Sequence, residues 1–274
     1  METNLTEQQK KQDLMIRLST LTTASEEFLD WWAKNINESP YFGSSHTMDF
    51  VHLKYDGDDI KLIVRLFKAF CRNVYPEFLP DDSHTPVMEY LASIVAKKAD
   101  RQGLVFRGNI GSGKTTLMLV WTDFEKKCIA RQKNTDGYRT TEPTATLLTP
   151  AKLVSDFMKD GFPVLEVPAK SPILLFDDLQ ELNVNYYGMP VNLAEQIITA
   201  RYDRFKTALN LRLYATTNLT SSQLTKAIGQ RAVSRLLEMS EWNEGLLTGD
   251  DRRKNENRLQ IWPDFTPKKN YSTI

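Results

Sequence analysis

The sequence predicts an α/β fold, a parallel sheet sandwiched by helices and preceded by a small, mainly helical N-terminal region. Three observations predict it. From residue 103 onward, short apolar runs alternate with segments of helical periodicity, the rhythm of a doubly wound sheet. Leu104-Val105-Phe106 and Ile173-Leu-Leu-Phe176 are apolar at every position, as strands covered on both faces are. Before residue 85 the clear apolar periodicity is helical instead.

At 274 residues the chain suits one large domain or a core with a smaller appendage. Lysine and arginine number 35, as do aspartate and glutamate, so the formal net charge is zero. No overall field therefore draws the protein to nucleic acid or to an anionic membrane, and any such binding must come from local patches. Cys71 and Cys128 are too few for a disulfide framework or a zinc cluster, which suits a reducing cytoplasm. The N-terminus lacks a basic stretch followed by an apolar one, and no apolar run approaches membrane-spanning length. A soluble, unexported, cytoplasmic protein is expected.

Taken in order, residues 5 to about 36 read as helices, the second opened by a capping box with Thr23 three residues before Glu26. Phe28, Trp31, Trp32 and Ile36 form one apolar face that packs on the N-terminal region or docks a partner. Ile60, Ile63, Val64, Phe67, Cys71 and Val74 define a clear helix, with Asp56, Asp58 and Asp59 at its positive end and Pro76 as its stop. Pro80 to Pro86 breaks the pattern and divides an N-terminal domain, 1–84, from the core. His46, His52 and His84 lack a second ligand at metal spacing and read as surface or locally bonded. Pro86 then opens a helix with Val87, Met88, Leu91, Ile94 and Val95 inward. Beyond the first strand, Arg131 to Glu142 reads as a surface loop, Ala145 to Leu148 as a strand, and Ala151 to Lys159 as a helix. Pro190 to Lys206 reads as a further helix and Leu211 to Ala215 as the next strand.

The core is organised around Gly108, Asn109, Ile110, Gly111, Ser112, Gly113, Lys114 and Thr115, which fit G-x-x-x-x-G-K-S/T at every fixed position. Glycine at 108, 111 and 113 lets successive N–H groups turn inward onto phosphate oxygens. Lys114 reaches the β and γ phosphates, and the Thr115 hydroxyl can ligate Mg²⁺. The strand before the loop and the apolar spacing of Leu117, Val120, Trp121, Phe124 and Cys128 after it place the phosphate on a helix N-terminus. Asp177 closes a buried strand, where it can hold Mg²⁺ directly or through water; Asp178 can polarise an attacking water or cap the next turn. Asn218 ends Tyr214-Ala-Thr-Thr-Asn218, where an amide can bond a γ-phosphate or the attacking water without adding charge. Arg231 and Arg235 share one helical face opposite Ala232, Val233, Leu236 and Leu237. They suit an arginine finger for a neighbouring subunit or a solvated face.

The order of these motifs resembles the AAA+ ATPases of the DnaC/DnaI-like bacterial helicase loader family and their relatives, the IstB-type transposition helpers. The likeness is carried by Gly108 to Thr116, Leu174 to Leu179, Ile198 to Tyr202, Ala215 to Leu219 and Ile228 to Arg235, within an ATPase domain at 85–253 followed by a tail at 254–274. The resemblance implies ATP and Mg²⁺ as cofactors, Lys114, Thr115 and Thr116 as Walker A, Asp177 and Asp178 as Walker B, and Asn218 as sensor 1. It makes Arg235 the arginine finger with Arg231 as companion, and places the terminal strand and sensor 2 in Leu247 to Arg253, with Arg253 or Arg252 touching nucleotide. It implies self-assembly and a partner gripped by residues 1–84, a ring helicase or a transposase, with DNA contact. Gln180 stands where loaders carry glycine, and residues 1–84 match no loader N-terminal domain. A transposition helper on duplex DNA, a non-hydrolysing nucleotide-dependent adaptor and a P-loop kinase remain as alternatives.

Overall fold

In the computed structural model, which describes residues 26–38, 57–96, 99–126, 132–133, 140–141, 145–207 and 211–247, the apolar runs of the core pair into one parallel sheet. Helices α1 (Glu26–Glu38) and α2 (Gly57–Val74) precede a short 3-10 turn, Asp82–His84, and α3 (Thr85–Val95). Strand β1 (Gly103–Gly108) leads through the glycine-rich loop into α4 (Lys114–Phe124). There follow β2 (Gln132–Lys133), β3 (Thr140–Thr141), β4 (Ala145–Leu148), α5 (Pro150–Asp160), a second 3-10 turn, α6 (Glu166–Lys170) and β5 (Ile173–Phe176). The chain continues through β6 (Asn183–Tyr186), β7 (Met189–Asn192), α7 (Leu193–Phe205), β8 (Arg212–Thr217), α8 (Ser221–Ile228), α9 (Gln230–Met239) and β9 (Glu241–Leu247).

The sheet runs β4-β5-β8-β1-β9, and every pairing in it is parallel. Side chains alternate across it with the period of two that a strand imposes. On one face Leu104, Phe106, Ile173, Leu175 and Tyr214 join α1, α2, α3 and α4 in a single apolar cluster. On the other, Val105, Leu174, Phe176, Leu213 and Ala215 meet α5, α7, α8 and α9. The expected architecture, a parallel sheet between helical layers with helices ahead of it, is therefore the observed one. Helix α2 lies over α4, with Phe67 ring centroids 4.8 Å from Trp121 and 5.3 Å from Phe124, so the apolar core runs without a break across residues 84 and 85.

Several elements differ from expectation. The helix read from Pro190 starts at Leu193, because Asn192 supplies the cap by accepting from the Glu195 N–H; Pro190 belongs instead to the antiparallel hairpin β6–β7. Residues 132–133 and 140–141 form a short antiparallel ladder inside a stretch read as loop. Among the described residues the last strand is Glu241–Leu247, which pairs with β1; of the expected 247–253 segment only Leu247 is described. Among the described side chains of α1, Leu29 and Ala33 are buried, whereas Trp31 is 46% exposed and does not share their face. Helix α2 is apolar more nearly all round than its stripe suggests: Leu62, Leu66, Ala69 and Phe70 are buried beside the expected residues. His84 is buried and bonded locally, its Nδ1 2.8 Å from Asp81 Oδ1. The Thr23 capping box, the side chains of Phe28, Trp32 and Ile36, His46, His52, Cys128, Arg252 and Arg253 lie outside the described residues.

Candidate functional site

Strands β5, β8 and β1 are neighbours and run the same way, so the loops that leave them open at one edge of the sheet. Asp177 and Asp178 leave β5, Asn218 leaves β8, and the glycine-rich loop leaves β1. Topology alone thus gathers residues more than a hundred positions apart, at the carboxyl ends where open α/β sheets bind ligands.

The loop depends on glycine at defined places. Gly111 and Gly113 take φ of 80° and 86°, the left-handed region that glycine alone enters freely. At Gly108 an added Cβ would stand 2.5 Å from the Leu247 carbonyl oxygen on the neighbouring strand. Gly113 caps α4, and no side chain closes that end, so the first-turn N–H groups and the positive helix terminus face the loop. The Ser112 hydroxyl is buried there without a hydrogen-bond partner. Asn109 and Ile110 are exposed, and Thr116 is half-buried in the first turn of α4.

Lys114 is buried, and its Nζ donates to the carbonyl oxygens of Gly108 at 2.8 Å and Asn109 at 2.7 Å and to Asn218 Oδ1 at 2.8 Å. The Thr115 hydroxyl donates to Asp177 Oδ1 at 2.7 Å. Thr216, which the sequence marks only as a polar residue near a strand end, donates to the same Oδ1 at 2.7 Å and accepts the Asp178 N–H at 2.8 Å. Asp178 itself is exposed and holds φ of 54°. Lys114 thus pairs with Asn218, and beside it Thr115 and Thr216 converge on Asp177.

These residues fit a polyphosphate with a divalent cation. The Thr115 hydroxyl and the Asp177 carboxylate are hard oxygen donors in contact, the kind that Mg²⁺ takes. An uncapped helix terminus, a buried ammonium and an orphaned buried hydroxyl are what phosphate oxygens require.

The two arginines of α9 differ in environment. Arg231 is exposed. Arg235 is only 13% exposed, its guanidinium carbon 5.2 Å above the Tyr202 ring of α7 and its Nη2 3.9 Å from Asp203 Oδ1. A third arginine, Arg201, is buried and donates to the carbonyl oxygens of Pro168 at 3.0 Å, Ser171 at 2.8 Å, Pro172 and Arg212. Burial pulls its guanidinium down to about 9. It ties α7 to the segments that enter β5 and β8, and so fixes the two strands whose far ends carry Asp177 and Asn218.

No family model matches the chain, and no curated protein does. Among solved structures it is similar to the DnaC helicase loader, at 22% identity and a TM-score of 0.43 over 62% of this chain and 92% of that one. It is similar to AMPPCP-bound DnaA from Aquifex aeolicus, at 14% identity and a TM-score of 0.44 over 61% of this chain and 48% of that one. Domain III of the Thermotoga maritima replication initiation protein DnaA matches at 17% identity and a TM-score of 0.44, over 62% of this chain and 65% of that one. These are likenesses of fold.

Proposed function

We propose that this chain is a Mg²⁺-dependent ATPase of the AAA+ helicase-loader kind, acting in the cytoplasm, which assembles with itself and on a replicative helicase or single-stranded DNA. The observation that carries the reading is the convergence of Lys114, Thr115, Asp177 and Asn218, from three adjacent strand ends, on one uncapped helix terminus. The neutral net charge leaves DNA contact to local basic patches.

In this reading the loop N–H groups, the Ser112 hydroxyl and Lys114 bind the phosphates, so the ammonium exchanges its loop carbonyls and Asn218 for phosphate oxygens. Thr115 and Asp177 would hold Mg²⁺, which would supply positive charge against the phosphates. Asp178 orients and deprotonates the attacking water, and Asn218, released from Lys114, reports the γ-phosphate. Arg235, with Arg231 beside it, serves the site of a neighbouring subunit, and to do so leaves the Tyr202 ring. Arg253 or Arg252, both outside the described residues, is the candidate to touch the nucleotide in cis.

The test is steady-state turnover and nucleotide affinity for wild type, Lys114→Ala and Arg235→Ala across a range of protein concentrations. Lys114→Ala weakens binding about tenfold or more, the worth of a hydrogen bond to a charged group. Arg235→Ala keeps the binding and loses turnover by on the order of a thousandfold in the assembled state. Equal turnover in all three proteins would sink the reading.

A further inference from the structure

We propose that Thr216 is a positioning residue for both acidic groups of the site, a role that rests on the ATPase reading and adds to it a link between the strand of Asn218 and the strand of Asp177. Strand β8 pairs with β5 in the register Ala215 to Phe176, which sets Thr216 beside the residue that follows β5. Its hydroxyl has one proton and two lone pairs, and both kinds of bond are used. The proton goes to Asp177 Oδ1 at 2.7 Å, and a lone pair takes the Asp178 N–H at 2.8 Å. Only 2% of Thr216 is exposed, so water does not compete for either bond.

The two bonds do different things. Asp177 Oδ1 also accepts from Thr115, whose hydroxyl oxygen is the one offered to the cation. Thr216 is the donor that has no other duty at the site, and it holds the carboxylate while Thr115 ligates. The second bond secures Asp178 at φ of 54°, a conformation that L-residues adopt at a cost and that Asp tolerates better than most. With its N–H tied to β8, the Asp178 backbone keeps one direction and presents its side chain in one place. The strand connection does not depend on the hydroxyl, because the Thr216 carbonyl separately accepts the Leu179 N–H at 2.7 Å. Removing the hydroxyl therefore loosens the carboxylates while leaving the sheet paired.

The experiment compares full-length wild type, Thr216→Val and Thr216→Ser in two measurements: Mg²⁺ titration of a fluorescent ATP analogue on the protein, and kcat and KM for ATP. Thr216→Val binds the analogue without Mg²⁺ as wild type does. It needs about 10- to 100-fold more Mg²⁺ for half-saturation, or loses kcat by a similar factor at nearly constant KM, as when a group supporting a metal ligand is lost. Thr216→Ser, which keeps the hydroxyl and drops the methyl, restores both. Thr216→Ala replaces Thr216→Val if the latter does not fold. A hydroxyl-free variant with the Mg²⁺ requirement and kcat of wild type overturns the proposal, as does a defect that serine fails to rescue. Wild type that binds no nucleotide overturns the ATPase reading and this proposal together; wild type that binds and hydrolyses while Thr216→Val matches it overturns this proposal alone.

Discussion

Tyr75 donates its hydroxyl to Asp123 Oδ2 at 2.7 Å, a buried hydrogen bond from the end of α2 to the helix that follows the phosphate loop. Burial raises the phenol's pKa most, and the Asp123 charge and the bond to it add to the rise. The folded value thus lies above the unfolded value of about 10, so this group's stabilisation is whole below pH 10 and is lost as pH climbs towards the folded value. Buried Cys71 and Tyr214 shift the same way, chiefly by burial. Stability should begin to fall above about pH 8.5, where the unfolded Cys71 thiol ionises, and fall more steeply above about pH 10, where the tyrosines do. At pH 7, Tyr75→Phe should cost about 1–3 kcal/mol by removing the buried Tyr75–Asp123 hydrogen bond, and the gap to wild type should narrow as pH rises through about 10. Denaturant unfolding between pH 7 and 10.5 measures both, and parallel decline of the two proteins would refute it. The pairing of Tyr75 with Asp123 could not be read from the sequence, because the two residues are 48 positions apart, one just past the end of α2 and the other within α4. Lys114 and Thr115 are legible because loop chemistry dictates their type and spacing locally, and Asp177 because a carboxylate closes the apolar run of β5. Thr216 is not, since a threonine near a strand end is ordinary until the neighbouring strand's register puts it beside Asp177.

Between α5 and α7 the chain forms an aromatic stack that helical periodicity does not announce. Tyr186 of β6 lies 4.9 Å from Phe157 and 5.7 Å from Phe162, and it covers Gly161, where an added Cβ would sit 2.5 Å from the Tyr186 hydroxyl oxygen. The hairpin turns at Tyr187 and Gly188, with φ of 49° and 82°, both left-handed as a two-residue turn of the primed type requires. Tyr-Gly is a weaker sign of that turn than Asn-Gly, and Pro190 suits a helix start as well as an edge strand, so from Pro190 the sequence predicts helix where β7 runs on to Asn192. Gly188 has nothing within 4 Å of an added Cβ, which isolates the backbone cost. Gly188→Ala should therefore destabilise by about 1–2 kcal/mol through φ alone, seen as a lower Tm at unchanged far-ultraviolet dichroism. Gly161→Ala should cost more, since it adds a collision to a φ of 70°. Equal losses at the two sites would contradict the stack.

At the scale of the molecule, the layer formed by α1, α2, α3 and α4 decides how the N-terminal region relates to the candidate site. Phe67 and Phe70 of α2 meet Trp121 and Phe124 of α4 at centroid distances between 4.8 Å and 5.5 Å, in tilted and edge-on contacts. The same cluster continues into Phe106 and Tyr214 of the sheet, so α2 closes the core on one face of the parallel sheet even as it precedes the expected domain boundary. Helices that bury their apolar faces in one cluster with the sheet unfold with it. Urea unfolding followed by far-ultraviolet dichroism and by tryptophan fluorescence should give coincident transitions. Phe67→Ala should lower stability by about 3–5 kcal/mol and shift both probes together. A chain beginning at residue 85 should bare Trp121 and Phe124 and aggregate, whereas one beginning at residue 57, which keeps α2, should stay folded and retain nucleotide affinity. An early separate transition for α2, or a stable monomer that starts at residue 85, would show that α2 belongs to an independent domain and that ATP binding does not need it.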